Sequence, residues 1–538
     1  MIKITNKMSI FWKILTVLSV PFLVLFLSFR FELIFRIFTA LIAFFVMIFL
    51  VRKINIDKIS SKVLLLSFLS SCYIEKLLMS FYNYKINKII NLLFKYIHIK
   101  FSWNTIFLLF SIAVFFSLFY YVTLFYLYIM PKVKDFLKKL TKNEKIYLIV
   151  ILIVSFILSI VVVTHTTAFG RNNENYDVIY TSDSSSLVKS DVWININNAE
   201  NDIRQPLFGL FSLPFGILGH FVSELLFFLP QSARYEFAMM IIQFLLLGFI
   251  TIMLSRLVVK DEDMKKYFYA LFSLSFPYLI FGLVLEQYVI GLFYLILCIY
   301  LYFKKEEKSN YAYLGSIGTL LTSGVLCWMT FKTKSFKKWF VNTFKLAMIF
   351  LVLLIITGQF AQFFTLKERL TFLLRFTGDK VLFIDRICQY LYFVRALFVA
   401  PDGFIYYGSF FNQPIHYSYQ LIMPGKASII GILILSLAFV SLILNRKNKM
   451  ALLSGFWILF SFIILCLVGW GTQENGLILY ALYFSWAFYI LIYLLFDKLI
   501  KNTKLLKIML VIIIIILTLF NIRELYFIMK FAFTYYVR

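Results

Sequence analysis

Acidic side chains are scarce in this chain, 26 among 538 residues, yet Glu174, Asp177, Asp183, Asp191, Glu200 and Asp202 share one stretch. That stretch, Gly170–Gln205, reads GRNNENYDVIYTSDSSSLVKSDVWININNAENDIRQ. Polar islands in apolar proteins are where chemistry or recognition concentrates. A carboxylate there can take a proton from a hydroxyl. Asp183 is the first candidate, because the serine-rich run around it can hydrogen-bond it, and Asp191 is the second. The plainer role of any single acid in such a loop is to keep it solvated. Asp202 and Arg204, with Gln205, stand just ahead of Pro206; they can bind substrate, but an ion pair and cap opening a helix is the simpler role. Glu286 and Gln287 sit at one hairpin tip and Glu474 at another, positions that ring a common cavity or are ordinary loop residues. Arg375, Arg386 and Arg395 lie in TLKERLTFLLRF and DKVLFIDRICQYLYFVRALF. Guanidinium forks match phosphate oxygens, although basic heads on amphipathic helices also snorkel toward lipid headgroups.

The elements that must position these groups are membrane helices. The chain is 62% hydrophobic, 20% aromatic and 15% charged, which excludes a water-soluble domain of this size. At about 20 apolar residues per crossing, there is room for roughly a dozen spans. The unbroken apolar runs exclude a membrane β-barrel. The fold class is therefore an all-α polytopic membrane protein, with about 11–14 transmembrane or re-entrant helices. A net charge of +27 suggests nucleic acid, but the lysines cluster in short loops, the positive-inside pattern, so no nucleic-acid partner is expected. Cys72, Cys298, Cys327, Cys388 and Cys466 are scattered, as are His98, His165, His220 and His416; neither set has metal-site spacing. The N-terminal apolar run reads as an uncleaved first span.

Candidate spans fall near 10–29, 33–51, 63–80, 104–130, 146–168, 234–256, 267–285, 287–303, 311–331, 340–361, 428–444, 451–470, 476–496 and 507–526. Lys132 through Lys145 place the loop before 146–168 in the cytoplasm, so the island is expected on the opposite face. Arg256, Lys260, Lys265 and Lys266 return the chain inside, leaving room for one crossing only. Pro206–Leu229, broken by Pro206 and Pro214, is accordingly expected along the outer membrane surface. The segment 311–331 has basic clusters on both sides and reads as a re-entrant pair interrupted by Gly315, Gly318 and Gly324. Lys85, Lys88, Lys95 and Lys100 raise the same conflict, which charge alone leaves open. A second long outer loop spans 362–427.

An acid-rich first loop, a proline-opened surface helix, a single-pass return and a later arginine-bearing loop resemble the GT-C superfamily of integral membrane glycosyltransferases. Similar features are TSDS at 181–184, DIRQPLF at 202–208, FPYLIFGLVLEQY at 276–288 and ENGLILYALYFSWAF at 474–488. The resemblance implies a GT-C-like core at 146–500, with loops 170–233 and 362–427, preceded by extra helices at 1–145 and followed by a helix and tail at 501–538. It implies a polyprenyl-phosphate sugar donor and membrane lipid as partners, a bacterial plasma membrane, and an active face outside. Asp183 or Asp191 would then act on the acceptor, and the arginines would hold the donor phosphate. A divalent cation is common in such sites, but the first loop has no DxD or DE pair to hold one. The rival reading is a transporter or flippase for a lipid-linked saccharide or anionic lipid, against which stand few mid-span charges and no internal repeat.

Overall fold

The computed structural model describes residues 2–3, 6–27, 33–52, 58–97, 103–171, 178–180, 182–196, 203–305, 309–330, 335–374, 376–378, 381–410, 413–419, 426–472 and 476–538. Nine helices among these are long and apolar enough to cross a membrane, and the protein is a multi-pass, predominantly α-helical membrane protein. It divides into two compact units, Met1–Thr141 with Ala347–Phe364, and Lys142–Leu346 with Thr365–Arg538.

In the first unit β1 (Ile2–Lys3) pairs antiparallel with β2 (Lys58–Ile59). Its helices are α1 (Asn6–Leu27), α2 (Leu33–Arg52), α3 (Ser61–Ile97), α4 (Trp103–Leu124) and α5 (Met130–Lys138). Val20, Val24, Ala43, Met47 and Tyr120 form its core. α3 continues as one helix past its apolar part, Ser61–Phe81, so Lys85, Lys88 and Lys95 lie on a helical extension and not in a loop, while Lys100 lies outside the described residues.

The second unit carries α6 (Lys142–His165), α7 (Ser184–Lys189), α8 (Phe208–Leu225), α9 (Gln231–Val258), α10 (Glu262–Ser273), α11 (Phe276–Leu283), α12 (Tyr288–Phe303) and α13 (Ser309–Thr319). α14 (Phe336–Ile356) starts in this unit and ends in the other. Then come α15 (Leu366–Leu374), α16 (Phe383–Ala396), β3 (Gly403–Phe410), β4 (Gln413–Tyr419), α17 (Ile429–Leu444), α18 (Lys449–Phe462), α19 (Ala481–Leu499) and α20 (Thr503–Tyr535). α9 and α19 are its central helices, with 83% and 89% of their apolar windows buried.

Antiparallel α6 and α9 define the two ends of this unit. At one, Arg256 forms a 2.6 Å ion pair with fully buried Glu144; at the other, the Arg171 N–H donates to Glu236 at 2.9 Å. α8 stays at that second end. Gly216 is pressed against Trp193 and Ile194, Gly219 against Tyr235 and Met239 in the first turns of α9, and the Tyr294 hydroxyl, near the start of α12, reaches the Phe211 carbonyl at 2.9 Å. Leu218, Phe221 and Leu225 of α8, with Phe227 and Phe228 just beyond it, are exposed, and α8 is itself one of the nine helices long and apolar enough to cross a membrane.

The run 267–285, expected as one span, is broken into α10 and α11. Pro277 opens α11 and the Ser275 hydroxyl accepts the Tyr278 N–H at 3.4 Å. The carbonyl freed at Leu274 is taken by the Asn521 amide at 2.7 Å, which also donates to Phe398. Breaks in apolar surroundings persist only where such groups find partners. After α13, which packs along α12, the residues Leu321–Met329 form a 3-10 turn that folds back on it, with the Tyr313 hydroxyl on the Gly324 carbonyl at 3.0 Å. Not anticipated was the antiparallel β3–β4 hairpin inside the second long loop, a departure from an all-α chain.

Candidate functional site

The island enters its site through backbone pairing. Val178 to Tyr180 lies parallel to β4, with the Tyr417 N–H on the Val178 carbonyl at 2.9 Å and the Tyr180 N–H on the Tyr417 carbonyl at 3.0 Å. Tyr180 has φ 52, a left-handed conformation unusual for a bulky residue. Its ring stands edge-on to Phe276, Tyr417 and Tyr419. α7 begins just beyond, and the Asp183 carbonyl accepts the Leu187 N–H at 3.0 Å. Asp183 itself is exposed, while its N–H donates to Glu286 Oε1 at 2.6 Å. Glu286 is only 3% exposed, at the turn between α11 and α12, which is tied to the island's start by the Leu285 N–H on the Phe169 carbonyl at 3.2 Å. The backbone of an exposed acid thus rests on a buried carboxylate.

The walls come from three other segments. Gln205 Nε2 donates to the Tyr483 hydroxyl at 3.3 Å, and the Arg204 carbonyl accepts the Leu321 N–H at 2.9 Å, leaving the exposed Arg204 side chain at the rim. Tyr288 packs edge-on to Tyr480 and Tyr483 at ring separations of 6.4 and 5.3 Å. Asp183, Arg204, Glu286 and Tyr480 all act electrostatically on the Tyr288 phenol. Trp470 Nε1 donates to the Tyr480 hydroxyl at 2.7 Å. Of the residues singled out in the sequence, Asp183, Arg204, Gln205, Glu286 and Gln287 therefore converge. Tyr288, Tyr480 and Tyr483 were missed. They lie inside the LEQY and LILYALY segments, and the only signal was their closeness to the acidic hairpin tips.

The other candidates are placed differently. Asp191 lies beyond the far end of α7, where Oδ2 meets His220 Nε2 at 2.6 Å and Oδ1 accepts the Tyr235 hydroxyl at 2.7 Å. With both oxygens engaged, it is not poised as an alternative base. Arg386 Nε and Nη1 donate to the carbonyls of Val381 and Leu467 at 3.1 Å each, bracing the loop that leads through Trp470 toward Tyr480. Arg395 pairs with Asp402 at 3.4 Å. Asp202, Arg375 and Glu474 lie outside the described residues. Among the described residues, no group of three or more His, Cys, Asp or Glu is arranged to hold a metal.

Burial sets the protonation of the hairpin beside the site. It pushes the phenols of Tyr180, Tyr417 and Tyr419 upward, Tyr417 further still because its hydroxyl donates to Glu524 at 2.6 Å. It lowers His416. These groups stay neutral near pH 7 and give the site an uncharged wall. Asp183, Glu286 and Arg204, with the phenols of Tyr288, Tyr480 and Tyr483, make a set able to accept a hydroxyl proton, to attract an anion and to offer phenolic donors. Neither protein-family models, nor curated proteins, nor solved structures give a match to this chain.

Proposed function

We propose that this protein is a membrane glycosyltransferase of the GT-C type, moving a sugar from a polyprenyl-phosphate-linked donor to a hydroxyl-bearing acceptor on the outer face of a bacterial plasma membrane. The observation that carries the reading is exposed Asp183, whose backbone N–H is held by buried Glu286, beside Arg204 and the phenols of Tyr288, Tyr480 and Tyr483, at one end of an apolar bundle. Asp183 would accept the acceptor's proton as its oxygen forms a bond to the anomeric carbon. The bond from that carbon to the donor phosphate breaks, its electron pair leaving with the phosphate and the anomeric configuration inverting. Arg204, which acts on the Tyr288 phenol, is the cation this reading assigns to that charge, and the exposed apolar side chains of α8 offer a surface for the polyprenyl tail.

Transfer by purified protein from polyprenyl-phosphate sugars tests this. Asp183→Asn is expected to lower kcat by about 10²–10⁴-fold, the usual contribution of a general base; undiminished transfer in the variant removes Asp183 from that role. The broken α10–α11 helix favours a second reading, a flippase for a lipid-linked saccharide or other anionic lipid, because discontinuous helices line many transport paths. Its freed polar groups, however, are taken up by Asn521 and Ser275. Lipid movement across liposomes without covalent change would reverse the order of the two readings.

A further inference from the structure

We propose that Asp191, His220 and Tyr235 are positioning residues that lock α7 and thereby fix the Asp183 carboxylate. This rests on the reading of Asp183 as the reacting group. α7 has six residues, far too few to be stable alone, so its place is dictated by what holds its ends. Two left-handed non-glycine residues bracket it, Tyr180 at φ 52 and Asp191 at φ 45. Such conformations survive where the surroundings over-determine them, and they collect at functional sites.

Each end is held by a carboxylate. At the front, Glu286 takes the Asp183 N–H. At the back, Asp191 turns the chain, and its side chain is gripped by His220 from α8 and Tyr235 from α9, whose rings stack at 4.1 Å and 20°. Its carbonyl accepts the N–H groups of Ile194 and Asn195 at 3.1 and 3.0 Å. The next residues are pinned to α8 as well, through the Ser212 hydroxyl on the Trp193 carbonyl at 2.9 Å and the close approach of Gly209 to Asn195. The lock joins the surface helix, the first central helix and the island, so a shift of α8 is transmitted to Asp183. A misplacement of about 1 Å at a reacting group costs on the order of 10²-fold in rate.

The experiment uses the full-length protein in detergent with Asp191→Asn, His220→Ala and His220→Gln, the last keeping an N–H donor. Asp191→Asn and His220→Ala are expected to speed amide exchange of 184–190 by about tenfold and to alter carbodiimide labelling of Asp183, while whole-protein melting holds. His220→Gln is expected to restore both. In the transfer assay kcat falls and KM stays. Unchanged exchange and labelling overturn the proposal. So does a general loss of melting temperature that His220→Gln does not rescue, since the cluster is then structural support alone. A wild-type protein inactive with polyprenyl-phosphate donors sinks the glycosyltransferase reading instead, and the exchange and labelling still decide whether Asp183 is held this way.

Discussion

At the scale of single residues, the site depends on one hydrogen bond between a partly buried amide and a buried acid. Glu286→Gln keeps an acceptor for the Asp183 N–H. Glu286→Ala leaves that donor unpaired and is expected to lower stability by about 1–3 kcal/mol, readable as a drop in melting temperature that the Gln variant largely avoids. His416, on the hairpin wall, makes a pH prediction. Its folded pKa is below the unfolded value, so its contribution is complete above about pH 6.5 and is lost as pH falls from there toward the folded value. Exchange in 403–419 should accelerate on acidification, and His416→Gln should flatten the response. Asp183, Glu286 and Gln287 were legible in the sequence because a polar residue between apolar runs has few structural uses. Tyr288 and Tyr483 were not, since a tyrosine in an apolar helix has the same local pattern whether it packs a core or faces a ligand. The partners of Asp191 were hidden for another reason: His220 and Tyr235 meet it only through tertiary packing.

At the scale of elements, close backbone approaches set the geometry. A Cβ at Gly431 would fall inside contact distance of the Leu391 carbonyl, whereas one at Gly324 would meet nothing within 4 Å. Gly431→Ala is therefore expected to push α17 from α16, the helix that carries Arg386, and to cost about 1–3 kcal/mol; Gly324→Ala should melt like the native protein. The expectations of a surface placement for 206–229 and a re-entrant pair at 311–331 followed from lysine positions, because charge bias constrains how many crossings a segment can make. The hairpin did not. Its run FIYYGSFFNQPIHYSY is aromatic and β-prone around a short turn, but the surrounding amphipathic helices drew it into one loop. The break at Ser273–Ser275 was equally silent, since apolar residues continue on both sides of Pro277 and only the distant Asn521 shows how a break is tolerated.

At the scale of the whole molecule, the distribution of lysines leads to the expectation that the island and the start of α14 lie on opposite faces. A thiol at Lys189, which is exposed, should react with an impermeant maleimide from outside intact cells, and one at Ser335, also exposed, should react only after permeabilisation. Labelling of both from the same side would sink the topology. The link between the island's surroundings and α20 bears on how such a protein is made. Thr166 bonds to the Tyr536 carbonyl across 370 residues, Arg538 pairs with Glu236, and Val178 to Tyr180 of the island pair with a hairpin that is itself anchored to α20 through Tyr417 and Glu524. Contacts of such sequence separation form late, after their loop entropy has been overcome. During synthesis the acid-rich island must therefore wait, undocked, while most of the remaining helices are inserted, and it closes only when α20 arrives. α20 thus completes a site whose first residues were laid down hundreds of residues earlier, so a chain that has not yet reached it would hold its carboxylates without the frame that aims them.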